Sequence, residues 1–255
     1  MIEIDRETAV RFLQRDLLRH VCIPLNEGFE DGSSPARVFA DSSEPTAIMV
    51  APVSAGDYNF IALAGYDYRF TEDAFRWLME TFGQFRLTSH DKRVFDHPEI
   101  VEHLSGPPAR SCSWACDSLD RVPEITDPRA CSLTIADMPA ALRYPAVRER
   151  GPNLPEMLET EEVFGIRENG EILGFLAACQ DFHNIWDVDI VHVREDHRRQ
   201  GLATALAAMY ARAMLTSGRV AYYSGASEAS GKAAENAGFF LCRELFWSDM
   251  KSNQR

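Results

Sequence analysis

One stretch of this sequence has the residue types and order of an anion-binding loop: Val193-Arg194-Glu195-Asp196-His197-Arg198-Arg199-Gln200-Gly201-Leu202-Ala203. It connects a strand-like segment to a helix-like one. The first amides of a helix have no intrahelical acceptor and sit at the positive end of the helix dipole, so such a corner suits phosphate oxygens. Gly201 lets backbone approach an oxygen closely. Ala203 keeps the second position small, and Arg198 and Arg199 add positive charge to an acidic chain. The plainer alternative is a strand-to-helix turn with two solvated arginines. Upstream, Asp187 and Asp189 alternate with apolar residues, which places both carboxylates on one strand face as proton acceptors or as exposed charges. Tyr222 and Tyr223 lie on the following strand, with hydroxyl protons to give or simply rings to bury.

The elements that must position these groups are legible in the C-terminal half. Cys131 to Thr134 reads as a short strand, and Thr134-Ile135-Ala136-Asp137 resembles a capping box opening a helix. Tyr144 to Glu162 is rich in Pro and Glu and reads as an adaptable connection. Val163 to Arg167 and Ile172 to Gln180 are strands joined at Asn169-Gly170, a tight hairpin turn that needs positive φ. Ile185 to Val193 is a strand with Trp186, Val188, Ile190 and His192 expected on one face. Leu202 to about Thr216 is a helix ended by Gly218. Arg219 to Ser224 is a strand, Ser227 caps a short helix ended by Gly238, and Phe239 to Trp247 is a last strand.

The N-terminal half is less explicit. Asp5 is expected to cap a helix running to about Cys22, with Val10, Leu13, Leu17 and Val21 on one stripe. Thr46 to Val53 and Asn59 to Ala64 read as a hairpin across Ser54-Ala55-Gly56-Asp57. A helix capped by Thr71 runs to Phe82, Gly83 ends it, and Phe85 to Thr88 is a short strand. Residues 106–128 hold Gly106-Pro107-Pro108 and Pro123 without a sustained period and read as a linker. The expected organisation is therefore an N-terminal α/β domain at 1–105, a linker at 106–128 and a second α/β domain at 129–255.

The 26 basic and 39 acidic residues give a formal charge of −13, which argues against nucleic acid as a partner and favours a cationic one. The opening residues lack a signal-peptide pattern, and no apolar run is long enough to span a bilayer, so neither membrane insertion nor export is expected and a cytoplasmic location is. Six scattered cysteines do not form a disulfide framework. Cys112 and Cys116 have metal-like spacing, but no second pair completes a site, so no metal is expected.

The loop resembles the coenzyme A signature of the GNAT N-acetyltransferase superfamily: Arg or Gln, two residues, Gly, one residue, then Gly or Ala. Arg198, Gly201 and Ala203 match it. Val193 stands where the family's preceding strand ends. Thr134 to Pro139 looks like the family's opening corner, and Ser227 to Gly238-Phe239 like its late helix and the Gly-Phe that follows. The resemblance implies a mixed, splayed β-sheet flanked by helices over residues 129–250, preceded by a smaller domain that loosely repeats the order without the signature. That smaller domain would be a degenerate GNAT-like unit covering the catalytic one and shaping its acceptor pocket.

The resemblance further implies acetyl-CoA as co-substrate. Its pantetheine arm would pair with backbone of Val191, His192 and Val193. Its pyrophosphate would sit on the amides of Arg199, Gln200, Gly201, Leu202, Ala203 and Thr204, with Arg198 also binding the cofactor. The acceptor would be a small-molecule amine attacking the thioester directly. An alkyl amine with a pKa near 10.4 is neutral in roughly one molecule per thousand at pH 7, so a base is required. Asp187 or Asp189 fits the family's usual base position. The family's usual acid, a Tyr before the Gly-Phe, is Ala234 here, which leaves Tyr222 or Tyr223 as substitutes. Ser230, on the same helix, is expected to face elsewhere. A longer acyl donor, as in glycine N-acyltransferase-like enzymes, or a non-catalytic acyl-CoA-binding module fits the same residues.

Overall fold

The computed structural model describes residues 1–20, 36–53, 59–124, 127–141, 143, 155, 158–159, 162–182, 184–225 and 227–251. The expected turn at Ser54 to Asp57, the end of the first helix at Cys22 and most of the connection after Tyr144 lie outside them. The chain divides into two compact units, Met1–Ser111 with Arg243–Arg255, and Cys112–Cys242.

The first unit is an open mixed sheet with helices on both faces. Its strands are β1 (Ile2–Glu3), β2 (Ala36–Ala40), β3 (Ile48–Pro52), β4 (Phe60–Ala64) and β5 (Gln84–Ser89), in that spatial order. Among the described strands of this unit only β4 and β5 pair in parallel, across the helix Tyr68–Phe82. Alternation along the strands divides the core in two. Val38, Ala40, Ile48, Val50, Ala62 and Ala64 meet α1 (Arg6–Gln14) through Ala9, Phe12 and Leu13. Phe39, Met49, Ala51, Ile61 and Leu63 meet α3 (Tyr68–Phe82) through Phe70, Ala74, Phe75 and Leu78. Asp5 caps α1 through the Thr8 amide. This first helix stops at Gln14, and a separate short helix, α2 (Leu17–His20), follows. Asp67, not Thr71, caps α3, accepting from the Phe70 amide, and Thr71 is buried within the helix. A short α4 (Pro98–Val101) follows.

The second unit repeats this arrangement. Its order is β6 (Ala109–Cys116), β11 (Val220–Gly225), β10 (Ile185–Val193), β9 (Glu171–Phe182), β8 (Glu162–Glu168) and β7 (Ala130–Ser132). Again one neighbouring pair is parallel, β10 with β11. Asn169 and Gly170 both carry positive φ at the β8–β9 turn, as the dipeptide predicts. Leu133, Phe175 and Ala177 pack with the short α5 (Met138–Ala141) on one face. Helix α6 (Leu202–Thr216) covers the other through Leu202, Leu206, Ala207 and Tyr210, against Phe164, Leu176, Val188 and Ala221. Ser227 caps α7 (Glu228–Asn236) through the Ser230 amide.

The segment expected as a linker contains a strand. Residues Cys112 to Cys116 pair antiparallel with Gly225 to Ala221. Small and polar residues mask its period, and Trp114 alone supplies a large apolar group, packed so closely on Gly225 and Gly231 that a Cβ at either would fall 2.7 or 2.3 Å from the ring. The last strand, β12 (Phe240–Lys251), runs past the expected Trp247, and its second half pairs with β5 from Phe246↔Ser89 to Lys251↔Gln84. Each unit thus takes its sixth strand from the opposite half of the sequence.

Candidate active site

The anion loop has the backbone its sequence demands. Arg198 is extended. Arg199 and Gly201 have φ of 62° and 80°, the left-handed region. Gly201 is the residue before α6, and a Cβ there would meet nothing within 4 Å, so its glycine answers to φ and to open space above it. Leu202 is buried and anchors the helix start, while Arg198, Arg199 and Gln200 are exposed. The Arg198 guanidinium reaches back to the Val193 carbonyl at 3.3 Å. Arg194 braces the loop through Asp196 and Glu171, each at 2.7 Å.

This loop borders a cavity of about 640 Å³. Val191, His192, Val193, Gly201, Ala203 and Thr204 line one side, and Tyr223, Ser227, Ser230 and Ala233 the other. Arg198, Arg199 and Lys232 also line it, and no carboxylate among the described residues does. In a chain of formal charge −13 this is a concentrated cationic site. Gln200 faces a separate cavity of about 300 Å³ beside Asp127 and Arg129.

The sheet parts beside the cavity. Pairing of β10 with β11 extends only from Ile185↔Val220 to Asp187↔Tyr222, although β10 continues to Val193 and β11 to Gly225. A β-bulge lies immediately beyond: Val188 faces Ala178 and Ile190 faces Ala177, so Asp189 is the inserted residue. A bulge reverses the strict alternation of a strand. Val191 and Val193 consequently join Val188 against the α6 core, while Ile190 packs on the other face with Phe175 and Ala177. His192, opposite Phe175, follows Ile190. It therefore does not share a face with Val188, as simple alternation predicts, and Asp187 and Asp189 are not equivalent neighbours on one face. Asp189 is exposed at the bulge. Asp187 is half-buried, its Oδ1 accepting from the Ser224 amide at 2.9 Å and its Oδ2 from the Ser224 hydroxyl at 2.8 Å.

The two tyrosines separate in role. Tyr222 is fully buried and does not line the cavity. Tyr223 does, and its hydroxyl lies 3.0 Å from the Ser230 hydroxyl. Burial pushes the Tyr223 phenol above its ordinary range, with the Ser230 bond opposing, so the group stays protonated. Ser230 faces the cavity rather than away from it; its place one turn into α7, after the Ser227 cap, turns it toward β11. Ala234 is buried in the core.

Residues 132–238 match the family model for the acetyltransferase (GNAT) family. These residues are a GNAT-family domain. With it the chain is a transferase enzyme of the acyl-transfer class. Solved structures extend the likeness of fold over the whole chain. A GNAT-family acetyltransferase from Colwellia psychrerythraea is 13% identical, with a TM-score of 0.59, covering 98% of this chain and 99% of that one. A GCN5-related N-acetyltransferase from Sphaerobacter thermophilus is 14% identical, with a TM-score of 0.58 and coverages of 98% and 95%. A tandem GNAT protein from the clavulanic acid biosynthesis pathway is 13% identical, with a TM-score of 0.51 and coverages of 100% and 98%. A comparison with curated protein sequences returned no match. No helix among the described residues is long and apolar enough to cross a membrane.

Proposed function

We propose that this GNAT domain transfers an acetyl group from acetyl-CoA to the primary amine of a small molecule by direct attack, in the cytoplasm. The observation that carries the reading is the cationic cavity between the parted strands, closed at one end by the loop from Arg198 to Thr204 and bordered by the Tyr223–Ser230 hydroxyl pair. The amides of Arg199 to Thr204 would take the pyrophosphate, and backbone of Val191 to Val193 the pantetheine arm. Such a site leaves the phosphates at the helix terminus, where unpaired amides and the dipole favour them.

The amine nitrogen would attack the thioester carbonyl carbon and the carbon–sulfur bond would break. The departing thiolate takes a proton from Tyr223, whose phenol is held protonated by burial and recharged through Ser230. The amine loses its proton to a base; neither aspartate lines the cavity, so the proton would pass through ordered water, and Asp189, exposed at the bulge, is the aspartate we assign as its acceptor. Bulges re-aim side chains beside active sites, and Asp189 is exposed there, whereas both Asp187 oxygens are engaged by Ser224. An acidic surface draws a cationic amine toward the site, an effect that salt weakens.

The test is free-thiol release from acetyl-CoA across a broad panel of amines. Turnover with one amine class supports the reading. Coenzyme A binding without turnover would replace the enzyme by a binding module, and release only from longer acyl-CoAs would change the donor.

A further inference from the structure

Helix α7 and its cap form the wall of the cavity opposite the anion loop, through Ser227, Ser230, Lys232 and Ala233. The helix is seated on a tryptophan from the segment expected as a linker. Trp114 lies directly opposite Tyr223 in the β6–β11 register, so the two side chains are neighbours on one face of the sheet. Both belong to the core beneath α6 and α7, together with Phe239, whose ring meets that of Tyr223 edge-on at 5.8 Å. The indole enters a slot between Gly225, the last residue of β11, and Gly231 in α7. A Cβ at Gly225 would fall 2.7 Å from Cζ3, and one at Gly231 would fall 2.3 Å from Cζ2 and 2.5 Å from Cη2. Neither glycine has a positive φ, so space and not backbone conformation excludes a side chain at both. Glycine inside a helix is less favourable than alanine, and at Gly231 the ring is what it makes room for.

We infer that Trp114 is a positioning residue: its ring sets the height of α7 over the sheet and so holds the Ser230 hydroxyl against that of Tyr223 at the edge of the cleft. Ser230 immediately precedes Gly231, and its hydroxyl lies 3.0 Å from the Tyr223 hydroxyl. One ring therefore stands beside Tyr223 on the sheet and against the turn of helix that carries Ser230. The end of α7 rests on the same segment, because a Cβ at Gly238 would fall 2.2 Å from the Arg121 carbonyl oxygen. Helix α6 is tied to it too: Nη2 of Arg212 donates to the Val122 carbonyl at 3.2 Å and to the Pro123 carbonyl at 3.0 Å. Residues 112–123 thus space the two helices that flank the cleft. Trp114 is 7% exposed, and its indole N–H is buried without an acceptor among the described residues. Such a donor weakens folding, so the contribution of the indole is its shape and not a hydrogen bond. This inference rests on the reading of the cleft as the acyl-CoA site and of Tyr223 as the acid.

The test exchanges volume across the slot in the full chain. Gly231→Ala adds a methyl group against the ring and should lift the helix. Trp114→Phe ends short of the Cζ2–Cη2 edge and should let the helix sink. Each single variant should lose the NOE between the Tyr223 ring and the Ser230 β protons. Each should also lower kcat by about 10-fold, since small displacements of a reacting group slow the step it serves. Trp114→Phe combined with Gly231→Ala refills the slot and should recover the NOE and most of kcat. In a Tyr223→Phe background the loss from either change should disappear, because a residue that acts through Tyr223 then has nothing left to position. A ring needed for stability alone would lower the melting temperature of the single variants and leave their NOE and kcat unchanged. That result would overturn the inference, as would a double variant no better than the single ones. A wild-type chain that binds no coenzyme A would instead remove the donor reading, and the NOEs of the free proteins would then decide whether Trp114 holds Ser230 on Tyr223.

Discussion

The two units repeat one plan, yet among the described residues the second parts its parallel strands early and the first does not. In the first, β4 and β5 pair through Leu63↔Ser89, one residue short of the end of β4, and the Thr88 hydroxyl bonds the Ile61 carbonyl at 3.1 Å to tighten the seam. In the second, the equivalent strands separate after Asp187↔Tyr222, and the next amide of β11, that of Ser224, bonds the Asp187 carboxylate. The helix termini differ in the same sense. Gly201 opens α6 beneath empty space beside two arginines, whereas Asp67 caps α3 with its own carboxylate. A carboxylate there satisfies the amides that a phosphate would use and repels the phosphate as well. On the proposed reading, the common architecture would carry a binding site only where ladder bonds and a side-chain cap are withheld.

The strongest test of the shared plan is to cut it where the sequence seems to permit. A chain stopped at Cys242 removes the strand partner of β5, including fully buried Met250, and residues 129–255 alone lack β6 with Trp114. Removing a buried large side chain costs about 2–5 kcal/mol even before the lost ladder is counted, against a domain stability of about 5–15 kcal/mol. Both fragments should lose near-UV circular dichroism and amide dispersion. A well-dispersed amide spectrum from either would show that its unit does not need the exchanged strand.

Two glycines with nearly the same backbone angle sharpen the contrast. Gly65 has φ 79° and a Cβ there would lie 2.2 Å from the Thr46 carbonyl oxygen, so Gly65→Ala should damage the first unit's fold. Gly201 has φ 80° and open space, so Gly201→Val should leave a folded chain, destabilised by the roughly 1–2 kcal/mol of a left-handed non-glycine residue. Its coenzyme A affinity should nonetheless fall by about 100-fold, through lost approach of the loop amides. Calorimetry together with thermal unfolding reads both. Unchanged affinity in folded Gly201→Val would move the phosphate elsewhere.

The contrast also shows what sequence carries. The strand-to-helix corner from Val193 to Leu202 was legible because its residues lie close together and answer to local backbone chemistry. The Asn169-Gly170 turn and the Ser227 cap were legible for the same reason. The strand at Cys112 to Cys116 was not, since its one large apolar residue, Trp114, packs on Gly225 and Gly231 from far along the chain. Nor was the bulge: nothing local at Asp189 announces an inserted residue, and one such residue moved His192 to the other face. Tyr210 reads as one more core aromatic in a helix, because the partners of its hydroxyl, the Trp186 carbonyl and the Tyr222 backbone, lie on two other strands.

For the chemical step, Asp189→Asn should lower kcat by about 100-fold at pH 7, the usual scale for a lost general base, with KM for the acyl donor preserved. The deficit should shrink as pH rises and free amine becomes abundant. Tyr223→Phe should cost less, because a thiolate departs readily without an acid. Near-wild-type rates in Asp189→Asn at pH 7 would point to ordered water as the acceptor of the proton.

The smallest effect concerns acid. The first unit holds a histidine pair that the second lacks among its described residues: His20 and His90 lie with ring centroids 5.1 Å apart, whereas His192 and His197 are half-buried at the cavity. Burial pulls the His90 pKa down to about 3, and the neighbouring His20 adds to the shift. Geometry agrees with a neutral ring, since Nε2 of His90 faces the Gly65 amide at 3.4 Å as an acceptor. A depressed folded pKa means that the unfolded chain binds more protons below about 6.5, so this group's stabilisation is complete above that pH and is lost as pH falls toward about 3. Acidification should therefore loosen the first unit before the second, which segment-resolved amide exchange at pH 7 and pH 5 would detect. His90→Gln supplies an amide oxygen to the Gly65 N–H and does not titrate, so its urea midpoint should fall less than the wild-type midpoint over the same interval. Parallel pH slopes for the two proteins would show that His90 does not govern the acid sensitivity of its unit.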